Sequence, residues 1–272
     1  KIYWMDNPIA YLVPGRDYLR PNLKLIVDDA IDLDSKDKLK IFLENWINVY
    51  IKDELLDLLN LDNIEHKNGN IRALCFQLYE NNGVLKRDAV YDMTKKLLKE
   101  DRTYLRKMGI KLGRYHLFLP KMLKPSAVTL RTNLWRNHFS NSEKIEPPKF
   151  GLNFFRNENK NLKKFFMICG FENFEYFYVR VDILERLFLK IIESTKKGKF
   201  KLDSNMINLI GCNRENFIKL LNIMNYKYEK IKKNNEEYFT YKPKKYHKIK
   251  TKTKSKIIKN NPFNVLSNVS FE

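Results

Sequence analysis

Hydrophobic positions recur at helical spacing over most of this chain, and short alternating stretches stand near its two ends. The longest helical pattern predicts a helix that begins at Asp34 or Ser35, because either side chain is a good N-cap. Its apolar positions predict a single surface that faces the core. These positions are Leu39, Phe42, Leu43, Trp46, Ile47, Tyr50, Leu55, Leu58 and Leu59.

The rest of the first half is predicted as a hairpin and two more helices. Residues 2–13 alternate like two short strands, which Pro14-Gly15 closes. A second helix covers residues 71–78. A third runs from about Lys86 to Gly109, since glycine can take the left-handed conformation that ends a helix.

The second half shows a more regular order of elements. An amphipathic helix opens at Asp182, a short helix covers residues 206–210, and Asn213 caps a third helix. Two alternating stretches, 226–230 and 238–241, then predict a hairpin. Three helices followed by a hairpin is the order of a winged helix, whose middle is a helix-turn-helix. A small α/β module that packs against a larger protein has the same order, and the pattern leaves both open.

The predicted fold class is mainly α with small β elements. We expect four parts along the chain, and the polar stretch around Pro147-Pro148 marks the second of them as a linker. The parts are an N-terminal β hairpin plus helical accessory domain (1–140), a linker or insertion (141–178), a winged-helix-like module (179–241) and a disordered basic tail (242–272).

One stretch of the first half, between Arg102 and Ser142, contains no acidic residue, although charged side chains make up 31% of the chain. Solvated helix faces usually alternate charge sign, whereas cations hold phosphates and rings stack on bases. This acid-free window therefore predicts a nucleic-acid-binding surface, divided between a helix end and a loop. For His116, the alternative is a buried histidine that forms a hydrogen bond inside the protein. The predicted contacts are Arg102, Arg106, Lys107, Lys111, Arg114, Tyr115, His116, Lys121, Lys124 and Arg131.

The charge of the whole chain agrees with a polyanionic partner. The formal net charge is +20, and nine lysines without any acidic residue lie between Lys242 and Lys259. Subtracting these nine lysines leaves +11, so the body of the chain is basic without them. Codon bias in an AT-rich genome is the alternative explanation for the lysine content, but it explains the arginines of the window less well.

The sequence carries no signature of catalysis or metal binding. It lacks a phosphate-binding loop and a nucleophile motif, and its three cysteines are single and far apart. We therefore expect a binding region with no catalytic residue, no metal and no cofactor of its own. No run approaches eighteen apolar residues, so no membrane partner is expected, and unpaired cysteines favour a cytoplasmic location.

Three stretches, at residues 71–78, 105–120 and 179–187, resemble the region that follows the motor in bacterial DExH-type helicases related to the mitochondrial RNA-degradosome helicase. The second stretch carries the most specific frame, and the likeness spans nearly the whole chain. That frame is Leu105-Arg106-Lys107-x-Gly109 followed by Gly113-x-Tyr115-His116-x-x-Leu119-Pro120.

The resemblance implies an ATP-dependent RNA helicase whose two RecA-like motor domains, with their ATP and Mg²⁺, lie upstream of Lys1. This chain would then close around single-stranded or structured RNA, with DNA as an alternative ligand. Two rival hypotheses remain: a stand-alone winged-helix DNA-binding protein that depends on Arg214 and Lys219, and a non-catalytic protein-interaction module.

Overall fold

The computed structural model describes residues 1–26, 32–62, 64–139, 145–231 and 236–242. Helices make up about half of this part, and its strands form four small antiparallel sheets, so the mainly α class with small β elements is confirmed. Residues 1–242 cluster into one compact unit. The predicted disordered tail lies, from Pro243 onward, outside the described residues.

The N-terminal residues form a three-stranded antiparallel sheet in the order β1-β2-β3. The predicted hairpin is confirmed, but Pro14-Gly15 does not close it. That pair lies inside β2 at an irregularity of the strand pairing, a position where proline and glycine are tolerated. A side chain at Gly15 would collide with the carbonyl oxygen of Arg20. The strands are β1 (Ile2–Trp4), β2 (Asn7–Asp17) and β3 (Arg20–Leu25).

The N-cap of the first helix, α1 (Leu33–Leu59), lies two or three residues before the predicted Asp34 or Ser35. Asp32 is its N-cap, because the carboxylate accepts the backbone N–H of Ser35 at 3.0 Å. The prediction of one core-facing surface was wrong, since the apolar positions occupy two sides of the helix. One side is buried and includes Leu43, Ile47, Ile51, Leu55 and Leu58; the other exposes Phe42, Trp46, Val49 and Tyr50.

The helical core of the first half is built from α1, α2 and α5, with a small sheet ordered β4-β6-β5. The predicted third helix is instead divided into a strand, a 3₁₀ turn and two short helices, although it does end at Gly109, where φ is 81°. The helix α5 was not predicted. Pro125 occupies its first helical position, where proline is favourable. The elements are α2 (Gly69–Glu80), β4 (Val84–Lys86), a 3₁₀ turn (Arg87–Val90), α3 (Tyr91–Lys95), α4 (Lys99–Lys107), β5 (Lys111–Leu112), β6 (His116–Phe118), a 3₁₀ turn (Pro120–Leu123) and α5 (Pro125–His138).

The described part of the predicted linker or insertion 141–178, residues 145–178, contains strands and a helix that share a core with the helix at 125–138, so it is not an extended linker. A sheet ordered β7-β9-β8 packs with α6 around a cluster of buried or half-buried rings. Burial of aromatic side chains stabilises this packing, and the polar residues between them in the sequence are the reason that no folded structure was predicted. The elements are β7 (Phe154–Arg156), a 3₁₀ turn (Lys160–Leu162), α6 (Lys163–Ile168), β8 (Phe171–Phe174) and β9 (Phe177–Arg180).

The C-terminal elements follow the predicted order of helices and strands. The amphipathic helix at Asp182 and the Asn213 N-cap are both confirmed, since the Asn213 side chain accepts the N–H of Asn216 at 2.8 Å. A strand between the first two helices completes a sheet ordered β10-β12-β11. The elements are α7 (Val181–Ser194), β10 (Lys199–Lys201), α8 (Ser204–Ile210), α9 (Arg214–Ile223), β11 (Tyr226–Ile231) and β12 (Glu236–Tyr241). Across the described residues, no helix combines the length and the apolar character that crossing a bilayer requires.

Candidate nucleic-acid interface

The acid-free window folds into most of α4, the β5–β6 hairpin, a 3₁₀ turn and the whole of α5. Asp101 fixes the beginning of α4 by accepting the N–H of Leu98 at 3.0 Å. The N–H groups of Gly109 and Ile110 bond back into the last turn, which ends the helix and leads directly into β5. The basic side chains of the window are therefore mounted on a helix end and an adjoining hairpin.

Four exposed cations share this location, and we call them the basic surface: Arg106, Lys107, Lys111 and Arg114. None of the four forms an ion pair with an acidic side chain among the described residues. Arg114 lies over the Phe188 ring at 5.7 Å, which supports its guanidinium while leaving it exposed. Unpaired cations in a group of one sign are available to an anionic ligand.

Three other predicted cations are less available or more isolated. Lys121 is exposed but pairs with Asp57 at 3.0 Å. Arg102 is half-buried, with its Nε 3.4 Å from the carbonyl oxygen of Leu97. Lys124 is exposed immediately before α5 and has no acidic partner in the described part of the chain.

Arg131 does not belong to any surface, which corrects its assignment as a nucleic-acid contact. The side chain is 0% exposed, and its guanidinium donates to the backbone carbonyl oxygens of Asn82, Met122 and Ala127. Burial lowers the pKa of Arg131. This arginine joins α5 to the turns before β4 and after β6, and no phosphate can reach it.

The turn of the β5–β6 hairpin is fastened to α7 by one buried carboxylate. Glu185 accepts the backbone N–H groups of Arg114, Tyr115 and His116 at 2.6, 2.7 and 2.9 Å. A side chain at Gly113 would come within 2.4 Å of the Glu185 carboxyl carbon, so only glycine leaves room for the carboxylate. Glu185 was not predicted, and no local pattern could have identified it, because its partners lie about 70 residues away in the sequence.

His116 is buried, so the alternative stated for it holds and its assignment as a contact is corrected. Its Nε2 lies 2.7 Å from the Glu172 carboxylate, whose other oxygen lies 2.6 Å from Lys86 Nζ. Desolvation opposes the charged form of Glu172, but the hydrogen bond and charge of His116 and the charge of Lys86 outweigh it. The pKa of Glu172 is therefore held below its usual value.

The aromatic residues of the window mainly pack inside the protein. Tyr115 is half-buried, with its hydroxyl 3.3 Å from that of Tyr226, and burial raises its pKa. Phe118 is fully buried. Trp135 and the 49% exposed Phe139 are the exception, because both line a cavity of about 410 Å³. Phosphate contacts are thus better provided for than base stacking.

The third helix of the predicted winged helix, α9, offers few free cations. Arg214 pairs with Glu237, which also accepts the Tyr228 hydroxyl at 2.6 Å. Lys219 is exposed. The three cysteines are not joined in disulfides. No group of three or more His, Cys, Asp or Glu side chains within the described ranges lies close enough to hold a metal ion. Comparisons with family models, curated proteins and solved structures find no match for this chain.

Proposed function

We propose that this chain is the RNA-binding accessory region of an ATP-dependent helicase whose motor domains lie outside it. In this proposal the chain binds the phosphate backbone of an RNA strand that the motor delivers. ATP and Mg²⁺ belong to the motor, and the chain contributes no catalytic group. A cytoplasmic location is part of the same proposal.

The observation that supports the proposal best is the unpaired basic surface. Its four cations lie on a helix end and a hairpin that Glu185 holds in place through three backbone N–H groups. A preorganised cationic site binds phosphates without the entropy cost of ordering a loop. The residues that hold the hairpin, Gly113 and Glu185, lie in two of the three stretches on which the resemblance rests.

The topology of residues 181–241 supports a winged-helix module as part of this region. Its order is helix, strand, two helices and two strands, and the first strand pairs with the last. Because Arg214 is already paired with Glu237, we assign the module a supporting role. The stand-alone DNA-binding hypothesis requires the opposite: preference for a duplex sequence, lost on replacing Arg214 and Lys219.

Protein interaction is a second candidate function, and the outer side of α1 favours it. Phe42 and Trp46 are 63% and 48% exposed, and the Trp46 ring stacks on Tyr50 with centroids 6.0 Å apart. Exposed apolar patches mark sites of protein–protein interaction. Replacing Phe42 and Trp46 with Ser should leave RNA affinity within about twofold; a larger loss would place the RNA contact on α1.

The test of the proposed function is binding of a fluorescent single-stranded RNA, compared with duplex RNA and with DNA, across a salt series. The chain is measured with and without residues 243–272. Tight binding of single-stranded RNA that survives the deletion is expected, with an affinity that falls as salt rises. Binding that disappears with residues 243–272 would refute the basic surface as the contact and favour the interaction module.

A further inference from the structure

A small cavity lies beside the basic surface, where the end of α4 meets the β5–β6 hairpin and the 3₁₀ turn that follows β4. Three arginines line it, Arg87, Arg102 and Arg106, and no acidic side chain does. Thr94 and the apolar residues Leu97, Leu112 and Leu117 complete its lining, and its volume is about 60 Å³. Arg87 lies upstream of the acid-free window, so the window alone could not identify this group.

The guanidinium groups retain most of their hydrogen-bond donors. Arg87 uses Nη1 to donate to the Gly113 carbonyl oxygen at 2.7 Å, and Arg102 offers only Nε to the carbonyl oxygen of Leu97. The side chain of Arg106 has no hydrogen bond or ion pair to any residue that the structure describes. An arginine carries five N–H donors, so most of the donors on these three side chains have no partner among the described residues. The Thr94 hydroxyl is already committed to the carbonyl oxygen of Tyr91.

The size of the cavity limits what can occupy it. One water needs about 10–15 Å³, so about 60 Å³ accommodates about four to six water-sized atoms. That is the size of one tetrahedral phosphate group, and a nucleobase or sugar cannot enter with it. Exposed Arg106 stands at the solvent side, where the rest of a ligand would leave the cavity.

The charge of the cavity separates two kinds of phosphate. A diester inside a strand carries one negative charge and two free oxygens, whereas a monoester carries about −1.5 to −2 at pH 7 and three acceptor oxygens. Three arginine forks match three oxygens and the higher charge. We propose that the cavity of Arg87, Arg102 and Arg106 binds the terminal phosphate monoester of a nucleic-acid strand. That the phosphate belongs to a nucleic-acid strand rests on the proposed function, whereas phosphate binding itself rests on the arginines and the size of the cavity.

The test compares short oligouridine RNAs that carry a 5′ phosphate, a 3′ phosphate or hydroxyls at both ends, each with a fluorophore at the end that is not varied. Ionic strength is held constant. One phosphorylated end should bind at least about tenfold more tightly than the hydroxyl form. Arg102→Lys and Arg106→Lys preserve net charge but remove the fork, and each should reduce that ratio to near one. Lys99→Ala, at an exposed cation on α4 outside both the cavity and the basic surface, should leave the ratio unchanged.

Inorganic phosphate serves as a second probe, followed through the arginine Nε–H resonances of the full chain. Binding of all three RNAs with equal affinity would overturn the cavity assignment and leave the proposed function intact. Phosphate-dependent shifts that Arg106→Lys abolishes, without RNA binding, would refute the proposed function and support the cavity as a site for a small phosphate. The absence of both an end preference and a phosphate-dependent shift would overturn this inference outright.

Discussion

The stretch 105–120, which contains the basic surface, also contains residues that the fold requires. Gly113 is required because the Glu185 carboxylate occupies the space of a side chain, and His116 is required because it pairs with Glu172. These residues hold the hairpin in place, while the cations beside them are exposed and have no acidic partner among the described residues. Residues that support the fold therefore alternate with exposed cations along one short stretch of chain.

Replacing Arg131 tests whether a cation of the acid-free window supports the fold. We expect Arg131→Met to lower the free energy of unfolding by about 2–4 kcal/mol, because three carbonyl oxygens in buried or half-buried positions lose their donor. Urea denaturation measures the change. The control is Arg136→Met on the same helix, where the side chain is half-buried and the effect should stay below about 1 kcal/mol. Equal effects of both substitutions would refute the special position of Arg131.

Glu172 gives the protein a predictable response to acid. Because its folded pKa lies below the unfolded value of about 4.3, its contribution to stability is present above that pH and is lost as pH falls through the folded pKa. Glu172→Gln should cost about 2 kcal/mol at pH 7 and make stability fall less steeply below about pH 4. Denaturation at several pH values measures both effects.

Glu175→Gln is the matched control for this change, since Glu175 is exposed in the turn of the same β8–β9 hairpin. Its curve should follow that of the unmodified protein. A Glu172→Gln curve that runs parallel to the control at all pH values would show that Glu172 does not contribute to acid sensitivity.

At the scale of elements, the β5–β6 hairpin and α7 function as one unit. Glu185→Gln replaces one of two acceptor oxygens with an NH₂ group that faces backbone N–H donors. We expect a loss of about 2–3 kcal/mol in stability and a severalfold loss of RNA affinity, because Arg114 loses its fixed position. Glu193→Gln, exposed on the same helix, is the control. A folded Glu185→Gln protein with unchanged RNA affinity would show that the hairpin need not be held for binding.

The elements that could be predicted from the sequence are those whose patterns lie within a few neighbouring residues. The amphipathic helix α7, the Asn213 cap and the end of α4 at Gly109 were predictable, because each depends on residues within one or two turns. The sheet of β7, β8 and β9 was missed, since its rings pack across distant segments. Glu185 was missed for the same reason.

At the scale of the whole molecule, the question is whether binding depends on net charge or on where the charge lies. With a net charge of +20, any sufficiently basic chain would attract a polyanion without a specific site. The basic surface makes a sharper prediction, since its cations are grouped and have no acidic partners among the described residues. Removing three charges there should therefore cost more than removing three charges elsewhere.

We expect the triple substitution Arg106→Ala, Lys107→Ala and Lys111→Ala to weaken single-stranded RNA binding and to make its salt dependence shallower by about two units of slope, since each phosphate contact contributes about 0.7. A control triple, with Lys38, Lys52 and Lys160 replaced by Ala, removes the same charge from exposed positions on α1 and before α6. It should leave the slope nearly unchanged. If both triples reduce affinity and slope equally, binding follows overall charge, as codon bias would produce, and the basic surface is not a site.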